Sequence, residues 1–449
     1  MSVSLAEYSR RNVPRYTSYP TVPHFSDKIG EDDYRAWLSA LDPAEPISMY
    51  LHIPFCRQLC WYCGCNMKLA SRDAPIAQYA AHLLDEIKLL DRAMPARMTL
   101  SHLAMGGGTP TALQPDCLAR LIEAVHARFD LSEDAELSIE SDPRTLTHDM
   151  LRRIGSLGFT RASFGVQEFD PHVQSAINRI QPPKMVRDTV EGLRAVGVRG
   201  VNFDLMYGLP HQSVSTLENT IRVCSEILPD RIALFGYAHV PWVAKKQRLI
   251  EETALPGSDE RMRQAAAAHD MLSDAGYVPI GLDHFALPHD SMAVAAKTDR
   301  LRRNFQGYTT DRADTLVGLG STSISRTPQG YTQNLAETGA WARAVSSGSL
   351  PVAKGIRLSI DDRLRAAVIE EIMCKGTVDL VEMARTFDAP TNWSRSAWPE
   401  LARMARDGLL IFEGMQVRVT NAGSPLRRVV ASAFDEYLGA QSARHSVAV

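Results

Sequence analysis

The feature that most constrains the fold of this chain is a sixfold alternation of short apolar runs with helical patterns across residues 47–237. Strand candidates fall at 47–53, 101–105, 136–140, 159–165, 200–206 and 231–237. Apolar residues at helical spacing occupy the gaps near 114–128, 147–154, 184–196 and 214–228. After the first strand, Pro75 introduces a helix whose apolar face is Ile76, Ala80, Leu83, Ile87 and Leu90, the spacing of a helix packed on one side. Strands that alternate with helices pair in parallel, because each helix carries the chain back to the start of the next strand. Such a sheet either lies flat between two helix layers or curls into a barrel or part of one, and periodicity alone leaves both open.

The first strand leads into Tyr50-Leu-His-Ile-Pro-Phe-Cys56-Arg-Gln-Leu-Cys60-Trp-Tyr-Cys63-Gly-Cys65-Asn66, four thiols within ten residues. The carboxyl end of a parallel strand is where open α/β sheets and barrels place their chemistry. A structural zinc site takes four ligands, often as two separated pairs, and no second pair follows here. Cys56, Cys60 and Cys63, spaced C-x3-C-x2-C, suit a [4Fe-4S] cluster, whose usual protein ligands are thiolates. Three ligands on four irons leave one iron open for a cofactor or substrate. Cys65 is then expected to stay off the metal and line the reaction cavity, while Gly64 lets the backbone pass close to the inorganic core. Cys117, Cys224 and Cys374 stand alone among apolar residues and are expected to be small buried hydrophobes.

At 449 residues the chain exceeds the size of one growing core, so two domains are expected. Lys plus Arg numbers 49 against 52 for Asp plus Glu, which gives no electrostatic reason for nucleic acid or an anionic membrane as partner. No early apolar run is long enough to span a bilayer, and the first residues lack the segments of a signal peptide. A cytoplasmic location follows as the expectation, and it suits free thiols.

The cysteine spacing resembles the signature of the radical S-adenosylmethionine superfamily. With Cys65-Asn66 it resembles the oxygen-independent coproporphyrinogen III oxidase family. The resemblance continues through Arg15-Tyr-Thr-Ser-Tyr-Pro-Thr21, Gly106-Gly-Gly-Thr-Pro110, Ser138-Ile-Glu-Ser-Asp-Pro143, Gly165-Val-Gln167, Asp204-Leu-Met-Tyr-Gly-Leu-Pro210, Tyr237-Ala-His-Val-Pro241 and Asn304-Phe-Gln-Gly-Tyr-Thr-Thr310. It implies a six-stranded (β/α)6 partial barrel rather than a flat sheet. It implies that Tyr50, Gly107, Glu140 and Ile324 bind one S-adenosylmethionine. A second is assigned to Tyr62, Gly108, Thr109, Gln167, Arg179, Asp204 and Ala238. The family often has Phe at the position of Tyr62, a change that keeps the aromatic face. The implied reaction converts two propionates of coproporphyrinogen III to vinyl groups through 5'-deoxyadenosyl radicals, in a monomer served by an external low-potential electron donor. A haem-trafficking paralogue without decarboxylase activity and a zinc-binding regulator are the alternatives.

Residues 1–45 read as an arm with a helix at Asp32–Leu41, covering the active site in the family. Residues 46–350 read as the catalytic domain and residues 351–449 as a helical, winged-helix-like domain. Within the last, helices are expected at 361–374, 378–385 and 397–408, strands at 409–413 and 415–419, and a final helix near 423–438. Arg10, Arg11, Arg15, Lys297, Arg300, Arg302 and Arg303 are candidates for the substrate's carboxylates. The run Lys245-Lys246-Gln247-Arg248 is either a solvated loop or a further propionate contact.

Overall fold

All six expected strands form in a computed structural model, which describes residues 7–438: β1 (Ile47–Ile53), β2 (Thr99–Gly107), β3 (Asp130–Ser141), β4 (Arg161–Gln167), β5 (Gly200–Tyr207) and β6 (Arg231–Gly236). They are neighbours in that order and parallel throughout, giving the sheet of a partial barrel. β1 is buried along almost its whole length, as expected of a parallel strand covered on both faces. The helix Ala74–Ala93 buries Ile76, Ala80, Leu83, Ile87 and Leu90 as its spacing predicts.

Two of the connecting helices start at polar side-chain caps, while Ala74–Ala93, Pro115–His126 and Pro183–Ala195 open on a proline in the first turn. The Thr147 side chain accepts from the Met150 N–H ahead of His148–Ser156, and the Ser213 side chain accepts from the Thr216 N–H ahead of Val214–Ile227. Each cap satisfies an amide that the helix itself cannot.

The sheet gains strands beyond the six. β7 (Thr315–Leu319) lies parallel to β1 on the side away from β2, and β8 (Ile324–Thr327) and β9 (Gly330–Asn334) follow antiparallel. The alternation of apolar runs predicts no strand in this stretch. Its glycines explain both the omission and the fit. A side chain at Gly318 would stand 2.6 Å from the Ile324 carbonyl oxygen, and one at Gly320 would meet the Tyr79 hydroxyl.

Packing divides the chain into two units. One holds Ser26–Gly276 and Asp311–Gly355, and the other gathers the residues up to Phe25, Tyr277–Thr310 and those from Ile356 on. These units differ from the contiguous partition expected from sequence, because apolar contacts tie the first residues to the last. In the second unit Tyr8, Val13, Tyr16 and Tyr19 share one core with Leu364, Ile372, Leu401, Val417 and Phe434. The helices there are Ile360–Lys375, Leu380–Thr386 and Trp398–Arg406, beside a three-stranded sheet of Thr377–Asp379, Gln416–Val419 and Leu410–Glu413. The expected final helix is reduced to Arg427–Ala431 between single 3-10 turns. Pro425 stands ahead of it, and Asp435 leaves helical conformation at its end.

Candidate active site

Most expected site residues of the first unit lie at or beyond the carboxyl ends of the parallel strands, with Tyr50 inside β1 and Ile324 opening the antiparallel β8. Tyr50 and His52 share a face of β1, and the Tyr50 hydroxyl is 3.1 Å from His52 Nδ1. Next to them β2 ends in Gly106-Gly107-Gly108. A Cβ at Gly106 would stand 2.7 Å from Glu140 Oε1, at Gly107 2.5 Å from the His52 ring, and at Gly108 2.7 Å from the Phe55 carbonyl oxygen. The triple glycine is therefore required by close approach on three sides, and Gly107 also has φ +114°. The Gly107 N–H donates to Glu140 Oε2 at 2.9 Å, which fixes the carboxylate at the end of β3. Ile324 joins this group through Gly318, the register partner of Tyr50.

Glu140 and Cys65 remain open to solvent, yet the protein around them pushes both groups up by desolvation and by neighbouring thiols. Open atoms enclosed by protein describe a recess, bounded by Tyr50, Glu140 and Cys65, which also feel one another's charge. The Cys65 N–H is 3.4 Å from Cys63 Sγ. A hydrogen bond from the Cys65 thiol, with Lys246 beside it, lowers the Cys63 thiol to about 5.

Donors surround the other two sulfurs as well. Thr109 Oγ1 is 3.5 Å from Cys56 Sγ. Arg144 Nη2 lies 3.2 Å and Arg179 Nη1 3.3 Å from Cys60 Sγ. Hydrogen-bond donors and cations at sulfur favour thiolate, working at Cys56 against the burial that pushes its thiol up to about 11. Among the described residues no three His, Cys, Asp or Glu side chains converge on a point that a single ion would fill. A cluster does not ask for that, since each thiolate binds its own iron, so the residues present fit a thiolate-bound cluster.

Further along the strand ends, Arg179 Nε donates to the Gly165 carbonyl oxygen at 2.8 Å. A Cβ at Gly165 would lie 2.6 Å from Gln167 Nε2. Gln167 itself adopts φ +67°. Asp204 is the register partner of Gly165; burial and the Glu140 charge push it up to about 7, against the pull of Arg179. Tyr62 packs on an apolar cluster of Val173, Ile177, Leu209, Tyr237 and Ile250. Gln247 Nε2 donates to the Tyr62 carbonyl at 2.7 Å and to the Ala238 carbonyl at 3.2 Å. Gly165, Gln167, Arg179 and Asp204 thus adjoin one another at the ends of β4 and β5.

Several neighbours were not legible beforehand. Arg144 and Gln247 act through contacts with residues distant in sequence; Asp142 falls within the Ser138–Pro143 motif and Gln247 within the Lys245–Arg248 run, but neither pattern announces the contact. Lys246 sits beside Cys63, so the solvated-loop reading does not describe it. Arg11 is 2.6 Å from Glu400, Arg302 is 2.9 Å from Glu370, and Arg303 donates to the Arg15 and Tyr16 carbonyls. Internal partners therefore occupy three of the arginines expected to meet substrate.

A parallel α/β sheet with three thiols in the loop after its first strand and a glycine turn after its second defines a class, and a model of the radical SAM superfamily matches residues 50–224. Within that class, oxygen-independent coproporphyrinogen III oxidases from Bradyrhizobium diazoefficiens and Cereibacter sphaeroides are 46% and 44% identical, covering 98% and 95% of this chain and 98% and 94% of their own lengths. The solved coproporphyrinogen III oxidase of Escherichia coli, itself a radical SAM enzyme, superposes with a TM-score of 0.91 at 35% identity over 95% of this chain and 100% of that one. The chain belongs to the oxygen-independent coproporphyrinogen III oxidase family. Membership in the superfamily implies a [4Fe-4S] cluster and S-adenosylmethionine.

Proposed function

We propose that Cys56, Cys60 and Cys63 hold the cluster, that Tyr50, Gly107, Glu140 and Ile324 hold one S-adenosylmethionine, and that Cys65 borders the reacting centre. The enzyme is an oxidoreductase that carries out the oxidative decarboxylation of propionates of coproporphyrinogen III. The observation that carries the assignment is the meeting of the three thiols and the Tyr50–Glu140–Cys65 recess at one end of the parallel sheet. A cluster held by Cys56, Cys60 and Cys63 would supply the electron that cleaves S-adenosylmethionine reductively, and so the radical chemistry that the decarboxylation needs.

The chain's own residues serve binding and exclusion of water. Glu140, oriented by the Gly107 N–H, offers a carboxylate to an ammonium or a ribose hydroxyl. Gly106 and Gly107 let the Glu140 carboxylate and the His52 ring approach the backbone more closely than any side chain would allow. Tyr62, Gly108, Thr109, Gln167, Arg179, Asp204 and Ala238 form the second binding set, with Gln247 tying the Tyr62 and Ala238 backbones together. Walls of this kind keep a reactive intermediate from water.

Among the described residues no helix is long and apolar enough to cross a membrane. A cytoplasmic monomer reduced by an external low-potential donor goes with this reading. An anaerobic assay with coproporphyrinogen III, S-adenosylmethionine and a low-potential reductant tests it. Protoporphyrinogen IX and 5'-deoxyadenosine are expected to form together; cleavage of the cofactor without vinyl product would sink the substrate assignment.

A further inference from the structure

Cys60 differs from the other two proposed ligands in the company it keeps. Its sulfur is 7% exposed at the residue level and receives two guanidinium donors, Arg144 Nη2 at 3.2 Å and Arg179 Nη1 at 3.3 Å. Arg179 has other work, since it also binds the Gly165 carbonyl and belongs to the second cofactor set. Among the described residues Arg144 makes no hydrogen bond to either cofactor set and meets Arg179 and Tyr62 of the second only through charge.

The Arg144 side chain is held by a purpose-built turn. Asp142 Oδ1 accepts the Arg144 backbone N–H at 3.1 Å and Nε at 2.9 Å, while Oδ2 accepts Nη2 at 2.6 Å. Pro143 lies between them and fixes its own φ. The side chains of Arg144 and Asp142 are only 4% and 9% exposed. Ordering and burying a long cation costs conformational entropy and solvation, so its one contact outside the turn calls for an account.

Resting on the cluster assignment above, we propose that Arg144, positioned by Asp142, sets the reduction potential of the cluster through Cys60. Reduction adds one electron from the external donor to a cluster already carrying thiolate charge, with no proton required. A buried N–H donor and positive charge at the ligand sulfur stabilise the more negative, reduced form, and hydrogen bonds to sulfur are among the known determinants of such potentials. Asp142 offsets part of the positive charge while holding the guanidinium in place. Arg144 is a positioning residue of the metal centre and meets no substrate atom.

The test is an EPR-monitored redox titration of the anaerobically reconstituted full chain, with iron and sulfide content measured alongside. Arg144→Gln removes the charge and leaves Asp142 only its weaker pairing with Arg179 at 3.5 Å. The couple is expected to move to more negative potential by about tenfold in the reduction equilibrium, about 59 mV for one electron. Arg144→Lys keeps the charge and is expected to recover part of the shift. The double variant Asp142→Asn with Arg144→Gln removes both charges and is expected to lie between Arg144→Gln and wild type, and it serves also if the single variant folds poorly. Potentials equal to wild type in variants with full iron and sulfide content overturn this inference alone. A wild-type chain that binds no iron and sulfide overturns the cluster assignment, and this inference with it.

Discussion

Four cysteines within one loop divide their labour by what surrounds each sulfur. Cys56 faces a threonine hydroxyl, Cys60 two buried guanidiniums, and Cys63 the Cys65 amide. Cys65 alone is a donor toward another thiol, which suits a residue that stays off the metal. Serine at position 56, 60 or 63 is expected to abolish the cluster, measured as iron, sulfide and the charge-transfer absorption near the visible. Cys65→Ser is expected to keep full iron and sulfide content while turnover falls. Loss of iron in that variant would show that four thiolates, not three, hold the metal. The three proposed ligand positions were legible because their spacing is local. The donors to Cys60 were not, because Arg144 comes 84 residues later and nothing in its neighbourhood announces a sulfur.

At the scale of elements, the strand-to-helix alternation was readable because both periods repeat within short windows. β7 was not, since its pairing with β1 spans most of the chain and its glycines carry no apolar signal. What holds that end of the sheet is a buried carboxylate on the helix Ala74–Ala93. Glu86 accepts the Gly320 N–H at 2.7 Å, Asn334 Nδ2 at 2.7 Å and Trp341 Nε1 at 3.2 Å. Next to it the Tyr79 hydroxyl donates to the His52 carbonyl and accepts the Ser321 N–H, linking the turn after β7 to the strand that carries Tyr50.

Burial raises Glu86 to about 8 despite its three donors, against about 4.3 for an ordinary glutamate. Its protonated form is therefore favoured by folding. The stability it contributes is complete at acidic pH and is lost as pH rises through about 8. The nearby phenols of Tyr34 and Tyr79 are held well above their ordinary range and do not titrate in that window. Thermal melting from pH 5 to pH 9 is expected to lose this decline in Glu86→Gln relative to wild type. An unchanged pH slope in the variant would mean that another group is responsible.

On the scale of the whole molecule, two cores stabilise two units whose boundaries do not follow sequence order. The Tyr8 hydroxyl donates to Asp407 at 2.8 Å and the Tyr16 hydroxyl to Asp435 at 2.9 Å, each within the second unit's core. Tyr16→Ala is expected to destabilise that unit by about 3–5 kcal/mol, the usual loss for a large buried aromatic. Hydrogen exchange is the suitable measurement. Amides of Ile360–Lys375 and Trp398–Arg406 should lose protection while those of β1 to β6 keep theirs; equal loss in both would refute the division into separate cores.

The pairing of Tyr8 with Asp407, 399 positions apart, also bears on how the protein is made. A ribosome adding roughly 5–20 residues per second takes about 20–80 s between those two residues. For that interval Tyr8, Val13, Tyr16 and Tyr19 have no core to enter, and the second unit cannot close until nearly the last helix emerges. A nascent chain halted anywhere before that point displays an uncovered aromatic arm, so incomplete synthesis carries its own mark for chaperones and proteases.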